Sequence, residues 1–296
     1  MQSWSDHALC LGIDMGATSL RASVVGPGGR VLETVRTLLP AEPVERVALP
    51  VEVAARYADR VEAVGLAIAG TVAAGRMNWS ANLGIADVDY VATIQSRLGI
   101  PTVVLNDARA AGLAEAQVGA GAGAGLVLAL TVGTGVGGAL LLDGKVVEGT
   151  GNAGEVGHLV IDAAGPECGC GERGCWEALV GGRALAAIAR TSYPQDAEPL
   201  TTMVAAAEKG DTGALQVIDR ATDYFRQGLD SLAAVLAPDV VVLGGGMIAR
   251  DNLLTRRYLN PGPLRWLEGR LVKSELGDLA GQVGAALAAH SLLARD

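Results

Sequence analysis

His158, Cys168, Cys170 and Cys175 carry the most specific chemistry in this chain. Three of its four cysteines fall within eight residues, and a histidine stands ten residues before them. Soft thiolates and an imidazole at this spacing are what a tetrahedral structural zinc requires. Gly169, Gly171 and Gly174 let the backbone fold tightly enough for the sulfurs to face one ion. A closed site of three Cys and one His leaves no coordination position for catalysis, so the ion would hold a loop. The alternatives are free buried cysteines or a disulfide. Cys168 and Cys170 are too close in the chain to bridge easily, and one sulfur would be left over.

Two glycine-rich turns could hold phosphate. In Asp14-Met15-Gly16-Ala17-Thr18, Gly16 lets a phosphate approach the backbone, Thr18 can donate to it, and Asp14 can serve a magnesium shell. The run Thr131-Val132-Gly133-Thr134-Gly135-Val136-Gly137-Gly138 makes a second nest of backbone amides. Each alone also reads as a structural hairpin; one in each half of the chain suggests a polyphosphate clamp. Gly244-Gly245-Gly246 follows an apolar strand, where a flat ring such as adenine could lie, or where a simple loop could run.

Asp107 follows Asn106 at the head of a helix, where it reads either as an N-cap or as a base for a hydroxyl proton. Glu155 and Glu177 flank the Cys/His segment and suit adjacent sugar hydroxyls, with surface placement as the alternative. Asn82, in a polar turn, could add a further contact.

The elements around these residues read as α/β. Residues 9–14, 20–25 and 31–38 alternate as three strands of an antiparallel meander. A helix is expected over 51–61, a strand over 63–68, a helix over 88–98, a strand over 102–105 and a helix over 108–118. The pattern then restarts: strands over 125–132, 137–142 and 145–147, helices over 180–189, 201–209 and 214–236, a strand over 240–243 and a final helix over 280–293. This repetition implies an internal duplication with a seam near 119–125. The expected division is a smaller domain, 1–118, joined by the last helix (about 280–296), and a larger one, 119–279, with the zinc loop.

Composition narrows the class. Of 296 residues, 50% are hydrophobic and only 3% aromatic, so the core must be built from Ala, Val, Leu and Ile. The net charge of −9, without a basic block, opposes a nucleic-acid partner. No apolar run reads as a membrane span, and the start MQSWSDHALC lacks the features of a signal peptide. A cytoplasmic, reducing setting is expected, which favours thiolate–zinc over disulfides.

With these residues in hand, the chain resembles the ROK family of repressors, open reading frames and sugar kinases. The resemblance runs nearly end to end. It is carried by Leu11-Gly12-Ile13-Asp14, Asn106-Asp107-Ala108, the glycine run from Gly133, and Gly151-Asn152-Ala153-Gly154-Glu155-Val156-Gly157-His158. It continues through Cys168-Gly169-Cys170-Gly171, Gly174-Cys175-Trp176-Glu177, Gly244-Gly245-Gly246 and Leu276-Gly277-Asp278-Leu279-Ala280-Gly281. It implies an actin-like, hexokinase-type ATPase fold, with duplicated ribonuclease H-like units about a central cleft, and an ATP-dependent hexose kinase. Asp107 would be the general base on the sugar 6-hydroxyl. Gly70, Asn82, Asn106, Asp107, Glu155, His158 and Glu177 would bind the sugar, with His158 also on zinc. Asp14, Gly16, Ala17, Thr18, Thr131, Gly133, Thr134, Gly135 and Gly245 would surround ATP and Mg²⁺. A homodimer is the family expectation.

The sequence departs from the family pattern twice. Ala17 replaces the second of two adjacent glycines, a minimal change with which ATP binding should survive. After Asn82 the family has a proline and a bulky aromatic, whereas this chain reads Leu83-Gly84-Ile85-Ala86-Asp87. Asp87 or Asp89 could therefore face an amino-sugar ammonium, or simply be solvated turn acids. Glucose is the favoured acceptor. Glucosamine, kanosamine or N-acetylmannosamine are alternatives, as are polyphosphate for the donor and a non-catalytic sugar-binding or regulatory role. A DNA-binding regulator is disfavoured, since only about eight residues precede the first strand and the balance is acidic.

Overall fold

The computed structural model describes residues 8–293 other than 74 and 81. Residues 1–7, read above for targeting signals, and the end of the expected last domain segment, 294–296, lie outside the described residues. The chain forms two compact units. One runs to Gly123 and also takes Gly144–Ala153 and everything from Asp278; the other takes Ala124–Asp143 and Gly154–Gly277.

The first unit is built on a five-stranded sheet. Strand β1 (Cys10–Met15) pairs antiparallel with β2 (Ser19–Gly26), which pairs with β3 (Arg30–Leu38). On its other side β1 runs parallel to β4 (Ala63–Ile68), and β4 parallel to β8 (Thr102–Asn106). All six residues of β4 are buried, as expected for a parallel strand covered on both faces. Leu11, Ile13 and Met15 join one core with residues of α1 (Pro43–Ala55) and α2 (Tyr90–Leu98). The intervening Gly12 and Gly65 lie under α10 (Ala280–Leu293), where a Cβ would overlap the Gln282 and Ala285 carbonyls. Gly284 likewise allows α10 to touch the Ala110 backbone of α3 (Asp107–Val118). A separate small sheet follows β4: β5 (Thr71–Ala73), β6 (Arg76–Ser80) and β7 (Ile85–Val88), ordered β5-β6-β7.

The second unit repeats the plan. Strand β9 (Leu126–Val132) pairs antiparallel with β10 (Val136–Leu142) and parallel with β12 (Val240–Gly244), which runs parallel to β13 (Arg270–Lys273). A centre strand with an antiparallel partner on one side and two parallel strands on the other therefore occurs twice, as the duplication required. The two-residue strand β11 (Lys145–Val146) comes after β10 and belongs to the first unit, where Gln117 of α3 donates to Gly144 O. Helices α4 (Trp176–Val180), α5 (Gly182–Ser192), α6 (Pro199–Glu208), α7 (Thr212–Leu236), α8 (Gly246–Ala249) and α9 (Leu253–Leu259) complete it. Its core centres on stacked rings, Trp176 on Phe225 at 5.3 Å and Phe225 on Tyr258 at 4.3 Å.

Two expectations are corrected. The helix expected over 51–61 runs from Pro43 to Ala55 with Pro50 inside it. Pro50 is buried with Leu49 and Val51, and that burial offsets the lost backbone bond. The helix expected over 180–189 is two, because Gly181 is extended (φ −73°, ψ 156°). The small sheet, α9 and β13 were not anticipated.

Candidate active site and metal centre

The candidate residues form one set in each unit. In the first, Asp14 ends near the tip of β1, and Gly16-Ala17-Thr18 turns the chain into β2, closed by Gly16 N–H donating to Ser19 O at 3.1 Å. Ala17 and Thr18 are exposed. Ala17 does not have positive φ, so alanine is accommodated there without strain. Burial, followed by the charge of Asp107, pushes the Asp14 carboxyl from 3.8 to about 7; Arg21 pulls it down and Asp278 adds to the rise. Asp278 itself pairs with Arg21 at 3.3 Å. Gly281 leaves room for Asp14, since a Cβ there would lie 2.7 Å from its Cγ. The C-terminal helix thus takes part in shaping this corner, a role the sequence reading did not assign.

The cap of α3 is Asn106, whose Oδ1 accepts from Ala108 N at 3.0 Å and Arg109 N at 3.2 Å. Asp107 is the first helical residue, and its Oδ1 also accepts from Ala108 N at 3.0 Å. Asn106 Nδ2 donates to Gly70 O at 3.0 Å. Ser80 Oγ donates to the adjoining Ala69 O at 2.5 Å, and Leu83 N donates to Ser80 Oγ at 3.3 Å. These links join Gly70, Asn106, Asp107 and the exposed turn of Asn82. Arg46 holds the altered loop by donating to Leu83 O at 2.7 Å. Asp87 and Asp89 both pair with Arg76, at 2.9 and 2.7 Å, so the two acids considered for an ammonium already have a cation. Buried Arg109 donates to Gly151 O and Ala153 O, which fixes the backbone leading toward Glu155; sequence spacing gives no sign of this.

In the second unit, the ligand atoms of His158, Cys168, Cys170 and Cys175 all lie within 4.8 Å of one another. Cys170 and Cys175 sulfurs are 3.6 Å apart, and Cys168 Sγ is 3.8 Å from His158 Nδ1. Bonds of about 2.3 Å in a tetrahedral zinc–thiolate site place sulfurs roughly 3.8 Å apart. The geometry therefore fits one tetrahedral ion, and all three cysteines are unbridged. The loop is a miniature hairpin, with Glu167 bridged to Arg173 and Cys168 N–H on Glu172 O at 2.8 Å. Gly171 (φ 96°) and Gly174 (φ 68°) need their glycines, and a Cβ at Gly174 would also strike Asp162 O. Gly169 has no such constraint. Burial pushes the Cys168 thiol to about 12 and raises Cys175, while the Glu172 backbone amide lowers Cys170.

Glu155 is exposed and precedes the 3-10 turn Val156–His158. Glu177 Oε1 accepts from Cys168 Sγ at 3.3 Å and lies 3.9 Å from His158 Nδ1. Its Oε2 accepts from Val136 N at 3.4 Å. Gly133, Thr134 and Gly135 make the turn between β9 and β10, and Gly133 N–H donates to Gly135 O at 3.0 Å. Gly245 (φ 96°), between β12 and α8, packs on Val132, where a Cβ would lie 2.6 Å from its carbonyl oxygen, and the preceding Gly244 of β12 pairs with Thr131. The second unit thus gathers the glycine turn, the Gly245 corner and the Cys/His cluster.

This duplicated fold matches proteins of known kind. The ROK family profile matches residues 10–291. A glucokinase of Streptomyces coelicolor is 33% identical over 307 residues, covering 94% of this chain and 96% of that protein. An N-acetylmannosamine kinase of Shigella boydii is 34% identical over 290 residues, covering 95% and 98%. The crystal structure of a ROK family glucokinase from Streptomyces griseus, in complex with glucose and AMPPNP, superposes with a TM-score of 0.79. It is 31% identical, over 96% of this chain and all of that one (100%). The fold is that of the actin-like sugar kinases, and the chain belongs to the ROK family.

Proposed function

We propose that this chain is an ATP-dependent sugar kinase that moves the γ-phosphoryl group of ATP to the 6-hydroxyl of a hexose, with glucose favoured. The observation that carries it is the placement of Asp107: first in α3, beside a cap made by Asn106, and electrostatically coupled to Asp14. Asp107 accepts the hydroxyl proton as the oxygen attacks phosphorus. Asn82, Asn106, Glu155, His158 and Glu177 hold the sugar hydroxyls, and Gly70 shapes the turn that Asn106 grips. Gly16, Ala17, Thr18, Thr131, Gly133, Thr134 and Gly135 receive the phosphates through backbone amides and hydroxyls, and Gly245 borders the adenosine.

Asp14 would serve the Mg²⁺ shell; its carboxyl, crowded by Asp107 and Asp278, is a site a hard cation relieves. When bound, Mg²⁺ neutralises charge developing on the phosphate oxygens. His158, Cys168, Cys170 and Cys175 would hold zinc, which closes the loop and supplies no reaction step. A reduced thiol cluster suits the cytoplasm, where we place the activity.

A second acceptor, N-acetylmannosamine, is favoured by the 34% identity to a kinase of that name over 95% of this chain. Free amino sugars have less support, because Asp87 and Asp89 are paired with Arg76. The test is ADP formation with Mg²⁺–ATP across hexoses, aminohexoses and N-acetylhexosamines, with polyphosphate as an alternative donor. Turnover should be strongest with glucose. Asp107→Asn should lower kcat by about 10²–10⁴-fold, the range for a lost general base, while sugar still binds. Near-normal turnover in that variant would remove Asp107 from the role of base. Silence with every sugar and donor would favour a binding or regulatory protein.

A further inference from the structure

We propose that Glu177 is a positioning residue for the turn formed by Gly133, Thr134 and Gly135, linking it to the Cys/His cluster. The state of the cluster then sets nucleotide affinity even with no sugar present. The inference rests on the reading of that turn as a phosphate site.

Glu177 stands on a rigid base. The neighbouring Trp176 is fully buried, stacks on Phe225, and donates its Nε1–H to Tyr224 O at 3.1 Å. Gly228 of α7 leaves the space its ring occupies. From this base the Glu177 carboxylate divides between two partners. Oε1 meets Cys168 Sγ at 3.3 Å, and Oε2 accepts from Val136 N at 3.4 Å.

The same Oε2 occupies the place that a Cβ on Gly135 would take, so the turn and the carboxylate fit each other closely. The turn is held from the next helix as well: Gly182 N donates to Gly133 O at 2.8 Å and Arg183 N to Thr134 O at 2.9 Å. Those bonds come from backbone and depend on no ligand. The Glu177 side chain is the one that also reaches the cluster: Cys168 can donate to Oε1 as a thiol but not as a metal-bound thiolate, so metal loading is felt at Val136 through a single side chain. A residue whose only task was to accept sugar hydroxyls would not need an oxygen against the Val136 amide.

The experiment measures AMPPNP binding with Mg²⁺ by calorimetry on metal-loaded protein in the absence of sugar. Thr134→Val, which tests the turn itself, should weaken binding severalfold. Glu177→Ala should weaken it about tenfold, the scale of a hydrogen bond to a charged group. Glu177→Gln should recover most of the loss, since an amide oxygen still accepts from Val136.

A spectroscopic readout keeps folding out of the question. In cobalt-substituted protein the thiolate–cobalt absorption should shift on adding AMPPNP, and Glu177→Ala should abolish the shift while retaining bound cobalt. If Glu177→Ala binds AMPPNP like the parent protein and the shift persists, the link is refuted and Glu177 serves sugar alone. If Thr134→Val also leaves affinity unchanged, the phosphate reading of the turn falls, and this inference with it.

Discussion

Asp14 is the residue whose ionisation state most affects the proposed chemistry. Its ordinary value of 3.8 is raised to about 7, first by burial and then by the charge of Asp107. The folded protein therefore binds a proton there that the unfolded chain releases near pH 4. The contribution to stability is full below about pH 4 and is lost as pH rises through 7. A cation and its nucleotide must expel this proton. Affinity for Mg²⁺–nucleotide should climb as pH rises to about 7 and level off above it. Calorimetry at pH 6, in buffers of different ionisation enthalpy, should show close to one proton released on binding, and almost none at pH 8.5. Asp14→Asn should lose this proton release and melt higher than the parent at pH 8. Affinity that does not vary between pH 6 and 8 would show that Asp14 does not meet the cation. The cluster has its own pH dependence: burial raises the Cys168 thiol, so metal must displace a proton there and its affinity should fall as the pH is lowered.

Single contacts between elements fix where these residues point. Asn106 caps α3 with Oδ1 and grips the Gly70 turn with Nδ2. Asn106→Ala should cost about 1 kcal/mol through the lost cap, read in denaturant melts, and should raise the KM for sugar more than it changes kcat. Trp176 anchors α4, and Trp176→Ala should destabilise by about 3–5 kcal/mol, the range for emptying a buried aromatic site. What the sequence shows of these elements depends on how local the signal is. The last helix was read over the residues it occupies, because a long run of small apolar residues without proline has one reading. The strands β4 and β12 announce themselves as short buried apolar runs between turns. The β5-β6-β7 sheet was hidden because its strands span three to five residues and carry a bulge at Thr71. Within the site, cysteine spacing revealed the cluster. The bond from Val136 to Glu177 spans 41 residues and that from Arg109 to Gly151 spans 42, so no local pattern records them.

Across the molecule, each unit has its own hydrophobic core, one under α1 and α2 and the other around Trp176, Phe225 and Tyr258. Removing metal with a chelator should therefore raise hydrogen exchange across residues 156–182 and leave the amides of β1, β4 and β8 unchanged. Exchange rising equally in both units would place the metal in a global role. Protein purified without added zinc should carry about one zinc per chain. The net charge of −9 predicts no retardation of DNA at moderate salt, and a shifted band would revive the regulator reading. Among the described residues no helix is long and apolar enough to cross a membrane. The glycine contacts that α10 makes with β1, β4 and α3 have a consequence for biosynthesis. On the ribosome, the first sheet emerges before the second unit, whereas its covering helix follows that unit. The N-terminal unit must wait, with Gly12 and Gly65 uncovered, while the whole of 154–277 is synthesised and can already fold. A nascent chain stalled before Ala280 should thus hold a formed metal hairpin together with an unfinished first unit, and be a chaperone client until α10 arrives.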